Sequence, residues 1–193
     1  TAALGVDWVR QPFVWSEIQP ESDQWQWVRW DRIVSETRAR GLRTVGVLEG
    51  APAWAGDPPD PRAYAAFAEA VAVRYGDTLT YYQIWHNPNL GDSWGGRADA
   101  YAYTALLSQA AEAIRSVDED ARIVLGSLAP TVEQGDRNYA EPIFLTMLYE
   151  AGARDYFDVV SLQPYGFETG PDDRRVDQDV LNFSRSILVR EVL

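Results

Sequence analysis

Residues 81–90 read Tyr81-Tyr82-Gln83-Ile84-Trp85-His86-Asn87-Pro88-Asn89-Leu90, a strand-like run that breaks into a polar, turn-forming cluster. Four further segments have the same character: Trp8–Trp15, Thr44–Glu49, Arg122–Ser127 and Asp158–Gln163. Each is followed by polar residues rich in Pro or Gly, such as Gly50-Ala51-Pro52 and Pro164-Tyr165-Gly166. Helix-like segments separate them at a spacing of roughly 35–40 residues, the pattern of βα units that build a parallel sheet. The last four strand candidates are short apolar runs, which predicts strands covered on both faces.

The helices carry their own start and stop signals. Trp30, Ile33, Val34 and Thr37 recur at helical spacing, with Gly41 as the stop. Asp60-Pro61 reads as an N-cap followed by Pro at the first helical position, ahead of Tyr64, Phe67, Ala68, Val71 and Tyr75, with Gly76 behind. Tyr103, Leu106, Leu107, Ala110, Ile114 and Val117 form another stripe. Glu141-Pro142 opens a helix closed by Gly152, and Val176, Val180, Phe183 and Ile187 predict a final one.

A chain of 193 residues with 46% hydrophobic content can bury a core, and reads as one domain over residues 1–193. A closed (β/α)8 barrel takes about 250 residues. The net charge of -12 opposes nucleic acid or an anionic membrane as partner. No apolar run approaches the roughly 20 residues a membrane span needs, which opposes membrane insertion. Without cysteine there is no disulfide, thiol catalysis or Cys-ligated metal. No Gly-rich phosphate loop follows a strand, and Ser127 and Ser161 lack a His partner in a triad pattern. Thr1–Gly5 lacks the basic stretch and apolar core of a signal peptide, and reads as the last turn of a helix continuing from upstream.

Several motifs, together and in order, resemble the large glycoside-hydrolase clan of (β/α)8 barrels. Residues 85–89 resemble its strand-end motif Trp-Asn-Glu-Pro-Asn, with His86 standing where the motif has Asn and Asn87 where it has Glu. Residues 4–10 resemble the end of the clan's first helix and its second strand, and Arg10 falls on the arginine that supports its acid/base and nucleophile. Trp15-Ser16-Glu17-Ile18-Gln19-Pro20, Trp25-Gln26-Trp27 with Trp30-Asp31, Pro52-Ala53-Trp54-Ala55 and Arg74-Tyr75 resemble further landmarks. Gln163-Pro164-Tyr165 sits where the sixth strand usually offers His-x-Tyr. The resemblance implies an α/β fold of (β/α)8 TIM-barrel type, of which this chain carries about five βα units, strands two to six. It also implies a piece of a larger polypeptide and an extracellular or cell-surface location.

The same resemblance implies hydrolysis of O-glycosidic bonds, and the departures fall on that chemistry. Retaining hydrolysis uses one carboxyl group as proton donor and a second as nucleophile, about 5–5.5 Å apart. A carboxamide at Asn87 has no titratable proton to give. The nucleophile would lie on a seventh strand. His86, the only histidine, reads as a pocket-lining residue, as a substitute acid, or as a metal ligand, the last opposed by the lack of companions. Glu49 reads as a structural partner for Arg10 or His86, or as a relocated acid. Glu17 reads as a turn residue, and Asp57, Asp60 and Asp92 as caps and turn formers.

Most of the eight Trp fill the core, but those at strand ends, Trp15, Trp54, Trp85 and Trp94, can offer an indole face to the apolar side of a pyranose. The expected site thus takes Asn87, His86 and Glu49 at the position of the chemistry. Arg10, Trp54, Trp85, Asn89, Gln163 and Tyr165 are the expected sugar-binding residues. No metal and no cofactor are expected. The expected partner is a carbohydrate, with other subunits or the missing barrel segments completing the barrel. The reading that follows is a carbohydrate-binding or structural module derived from a hydrolase. The alternative is an active glycosidase using Glu49 or His86 as acid and a nucleophile outside this sequence.

Overall fold

A computed structural model describes residues 5–193. The helix end expected over Thr1–Gly5 lies, for residues 1–4, outside the described residues. The centre is a parallel sheet of four strands in sequential order, β1 (Trp8–Val14), β2 (Arg43–Glu49), β3 (Tyr81–Ile84) and β4 (Arg122–Val124). Trp15, expected to end the first strand, instead opens a short helix, α1 (Trp15–Ile18). The connecting helices are α2 (Val28–Ala39), α3 (Pro61–Tyr75) and α4 (Ala100–Val117). β5 (Gln134–Gly135) and β6 (Asn138–Tyr139) form a small antiparallel hairpin, and α5 (Glu141–Glu150) follows.

The caps follow from the sequence. The Asp60 carboxylate accepts hydrogen bonds from the backbone N–H of Arg62 and Ala63, and Asp99 does the same for Tyr101 and Ala102. Gly41, with φ of +68°, takes the left-handed turn after α2.

Two expectations change at the C-terminal end. Asp158–Gln163 does not form a full strand. It touches β4 and the residues after it through isolated parallel bridges, Val124 to Val159 and Leu128 to Leu162. Among the described residues nothing pairs with its other side, and Val159 stays 39% exposed. The stripe Val176–Ile187 is not a helix either. Only α6 (Ser186–Arg190) and one preceding 3-10 turn form, because Val176, Phe183 and Ile187 are exposed and find no apolar surface to bury against.

The helices cover one face of the sheet. Phe13, Leu48, Tyr82, Ile84 and Ile123 are fully buried against Tyr64, Phe67 and Val71 of α3 and against Leu106, Leu107 and Ile114 of α4. The residues of opposite parity form an inner face that is buried at its centre, at Val47, Gln83 and Val124, and open towards β1, where Trp8 and Arg10 are exposed. Burial on both faces, predicted from the apolar runs, holds for β2, β3 and β4 beyond their first residues, and fails for Asp158–Gln163.

The 172–190 segment is fixed by a buried ion pair. Arg185 is 1% exposed and its Nε lies 3.0 Å from both carboxylate oxygens of Glu141 at the start of α5. Its Nη2 donates to the Thr131 carbonyl at 2.7 Å. Removing one partner leaves the other charge buried and alone. Glu141→Ala is expected to lower stability by roughly 3–5 kcal/mol, whereas the paired change Glu141→Leu with Arg185→Met recovers most of it. Urea denaturation of the three proteins checks this.

Candidate functional site

A parallel strand alternates its side chains between faces, so Gln83 and His86 should lie on opposite sides. They do not. Both reach Arg10 on the inner face: the Arg10 Nε donates to Gln83 Oε1 at 3.1 Å, and Arg10 Nη2 lies 3.0 Å from His86 Nδ1. Trp85 between them has φ of +70°, a left-handed conformation that is costly for a bulky residue. That one residue switches the alternation. The indole turns to the helix side, packing edge-on against Tyr64 at 5.8 Å and Trp94 at 5.6 Å, while His86 turns inward. Trp85 is 7% exposed and its Nε1 donates to the Ser93 carbonyl, so its expected role as a sugar platform is corrected to a core residue.

Two tyrosines brace the switch. The Tyr64 hydroxyl donates to the Leu48 carbonyl at 2.7 Å and accepts from the Trp85 N–H at 3.2 Å. The Tyr103 hydroxyl donates to the Ile84 carbonyl at 2.8 Å and accepts from the Gly126 N–H at 2.7 Å. A side chain at Gly126 would meet both the Ile84 carbonyl and that hydroxyl within 2.8 Å, so only glycine fits. Burial pushes both phenols above their ordinary range.

Asn87 also lies in the left-handed region, with φ of +54°, which asparagine tolerates better than most residues. Its Oδ1 accepts from Gln163 Nε2, which also lies 3.0 Å from Ser127 Oγ. The structure thus brings Asn87, Gln163 and Ser127 together at the carboxyl ends of three successive sheet segments. Asn89, expected to bind sugar, is fully buried. Its carboxamide donates to the carbonyls of Ala129 and Tyr139 and accepts from the Ala129 N–H, so it ties the loop to the hairpin instead.

Glu49 ends β2 half-buried, and its carboxylate makes no hydrogen bond or ion pair among the described residues. Burial raises its pKa, an effect the positive charge of Arg10 opposes. His86 moves the other way: burial and then Arg10 lower its pKa from 6.5. Because arginine can only donate, Nδ1 must accept and the neutral ring carries its proton on Nε2. Trp54 and Tyr165 remain outside, 37% and 54% exposed. The Trp54 ring is held by a hydrogen bond from its Nε1 to the Gln19 carbonyl and by edge-on contact with Trp15 at 5.3 Å. Asp60 is a cap, and Asp92 and Glu17 pair with Arg137 and Arg29. Gln83 and the tyrosines escaped the sequence reading, although Gln83 is the one non-aromatic polar residue in an otherwise apolar strand.

No protein-family model matches the chain, and no curated protein sequence matches it at a significant level. Solved structures do. A family 39 glycoside hydrolase from Bacteroides cellulosilyticus WH2 superposes with a TM-score of 0.68 at 21% identity, over 89% of this chain and 35% of that one. A glucosidase from Croceicoccus marinus gives 0.71 at 17% identity, over 99% of this chain and 43% of that one. A family 1 β-glucosidase from Thermotoga maritima gives 0.59 at 17% identity, over 81% and 46%. The chain's α/β fold, with its parallel sheet of four strands, therefore matches part of the barrel in these glycoside hydrolases. The chain spans less than half the length of these structures.

The His86 arrangement makes a signed prediction. A histidine whose pKa is depressed in the folded state stays neutral there while the unfolded chain takes up a proton, so its contribution to stability is present above pH 6.5 and is lost as pH falls towards the depressed value. Arg10→Leu is expected to raise the His86 pKa towards 6.5, as followed by NMR of the ring.

Proposed function

We propose that this chain is a barrel segment of glycoside-hydrolase type that binds carbohydrate at the strand-end face without cleaving it. The observation that carries the reading is Asn87. It stands at the end of β3 in the position the resemblance gives to the acid/base, and its carboxamide has no proton to donate to a leaving oxygen. Beside it, Gln163 is likewise a neutral hydrogen-bonding group, suited to hydroxyls. Trp54 and Tyr165 supply exposed rings for stacking. Further βα units, from the same polypeptide or another subunit, would close over the inner face where it is open, at Trp8 and Arg10.

A second reading has one observation in its favour. Glu49 is a half-buried carboxyl group with a raised pKa, the environment of a general acid. It fits this role better than His86, whose lowered pKa makes the imidazolium scarce near neutrality. This reading needs a nucleophile from outside the sequence.

The full-length protein is expected to bind oligosaccharides weakly and to turn over none. Trp54→Ala with Tyr165→Ala should weaken calorimetric binding by about 1–3 kcal/mol in total. Glycoside turnover that disappears in Glu49→Gln overturns the non-catalytic reading. Asn87→Glu should lower stability by about 1–2 kcal/mol, because glutamate gains less from the left-handed backbone. In return it should raise hydrolysis by about 10²–10⁴ where a nucleophile is present.

A further inference from the structure

Trp25 and Trp27 lie immediately ahead of α2, on the helix side of the sheet. Their rings are stacked, with centroids 5.2 Å apart and planes 8° from parallel. Trp27 is the inner member: it meets Tyr75 edge-on at 5.9 Å, and the Arg74 guanidinium lies 5.2 Å from its centroid. Tyr75 in turn packs on Phe13 at 5.5 Å. Phe13 and Arg10 have opposite strand parity, so the thickness of the sheet separates this pair from the site around His86. Trp25 is the outer member, 39% exposed, with one ring face covered by Trp27.

The pair walls two adjoining, shallow grooves of about 630 and 1000 Å³. Apart from Arg32, their charges are matched internally. Arg74 makes two hydrogen bonds to the Asp31 carboxylate, at 2.7 and 2.6 Å, and Arg29 pairs with Glu17. Gln26 and Arg32 also line the larger groove, and their side chains make no hydrogen bond among the described residues. A cationic ligand would meet carboxylates already paired, and an anionic one a single guanidinium, Arg32, as its only unpaired charge among the described residues. A wholly apolar partner would strip water from Gln26 and Arg32 without replacing their hydrogen bonds. A pyranose answers both conditions, with an apolar C–H face for the indole and hydroxyls for the carboxamide and guanidinium.

We propose that Trp25 is the platform of a second carbohydrate site, on the outer face of the protein, that takes a neutral oligosaccharide and performs no chemistry. It does not rest on Asn87 or on the strand-end cleft. The test is affinity electrophoresis of the full-length protein in gels containing hydroxyethylcellulose, arabinoxylan or galactomannan, with polygalacturonate in parallel. At least one neutral polysaccharide should retard the protein, and Trp25→Ala should weaken that retardation about fivefold. Retardation should persist in Trp54→Ala with Tyr165→Ala and vanish when Trp25→Ala is added.

Since Trp25→Ala also uncovers Trp27, the unaltered protein provides the second measurement. Hydroxyl-radical oxidation of Trp25, mapped by mass spectrometry, should fall when the matching oligosaccharide is present. Unchanged oxidation, retardation by polygalacturonate alone, or no retardation by any neutral polysaccharide overturns the proposal. Loss of retardation in the Trp54 and Tyr165 variant alone overturns it too, while agreeing with carbohydrate binding at the strand-end face.

Discussion

The left-handed backbone at Trp85 is the constraint on which the rest of this structure turns. Without it the strand would send Gln83 and His86 to opposite faces, and Arg10 could not hold both. With it, one indole joins the helix layer and one imidazole joins the inner face. The conformation is unfavourable by itself, of order 1–2 kcal/mol for a residue with a side chain. It is held by the packing of Trp85 on Tyr64 and Trp94 and by its N–H bonds to Leu48 and the Tyr64 hydroxyl. Strain of this kind persists where the surroundings over-determine it, and such places are commonly functional.

Chemically, the strand-end face is a set of amides. Asn87 and Gln163 face each other where the clan's acid/base and sixth-strand histidine are expected, and Ser127 shares the same donor. Carboxamides both donate and accept hydrogen bonds, but they cannot exchange a proton near neutral pH. The face is therefore polar without being titratable, apart from Glu49 and His86. Their pKa shifts run towards the uncharged form in both cases, with burial the larger cause.

Much of the architecture was legible because it rests on local rules. Asp60-Pro61, Gly41 and the stripes of α3 and α4 act through caps and period, which a sequence displays directly. The misread elements depend on what lies across space. The Val176–Ile187 stripe had the right period but no surface to meet, and Asp158–Gln163 had a neighbour on only one side. Trp85 and Asn89 were placed on the loop face by counting along the strand and motif, and counting fails where one residue turns left-handed. The hairpin of β5 and β6 had a signal that went unread: Gly135-Asp136, both at positive φ, is turn chemistry. Gln83 also announced itself, as a buried carboxamide within an apolar run.

The tyrosine hydroxyls have a mechanical meaning. Where β3 leaves β2 and β4, the rungs of the ladder are completed by phenols that reach in from α3 and α4. The rim of the inner face is thus pinned by the outer layer. A helix that slid by even part of a turn would carry its hydroxyl away from the strand ends and release the backbone beneath His86. The two faces of the sheet are geared together. A lesion among the buried aromatics of the helices would be felt first as a loss of register at the opposite face, well before the fold itself gave way.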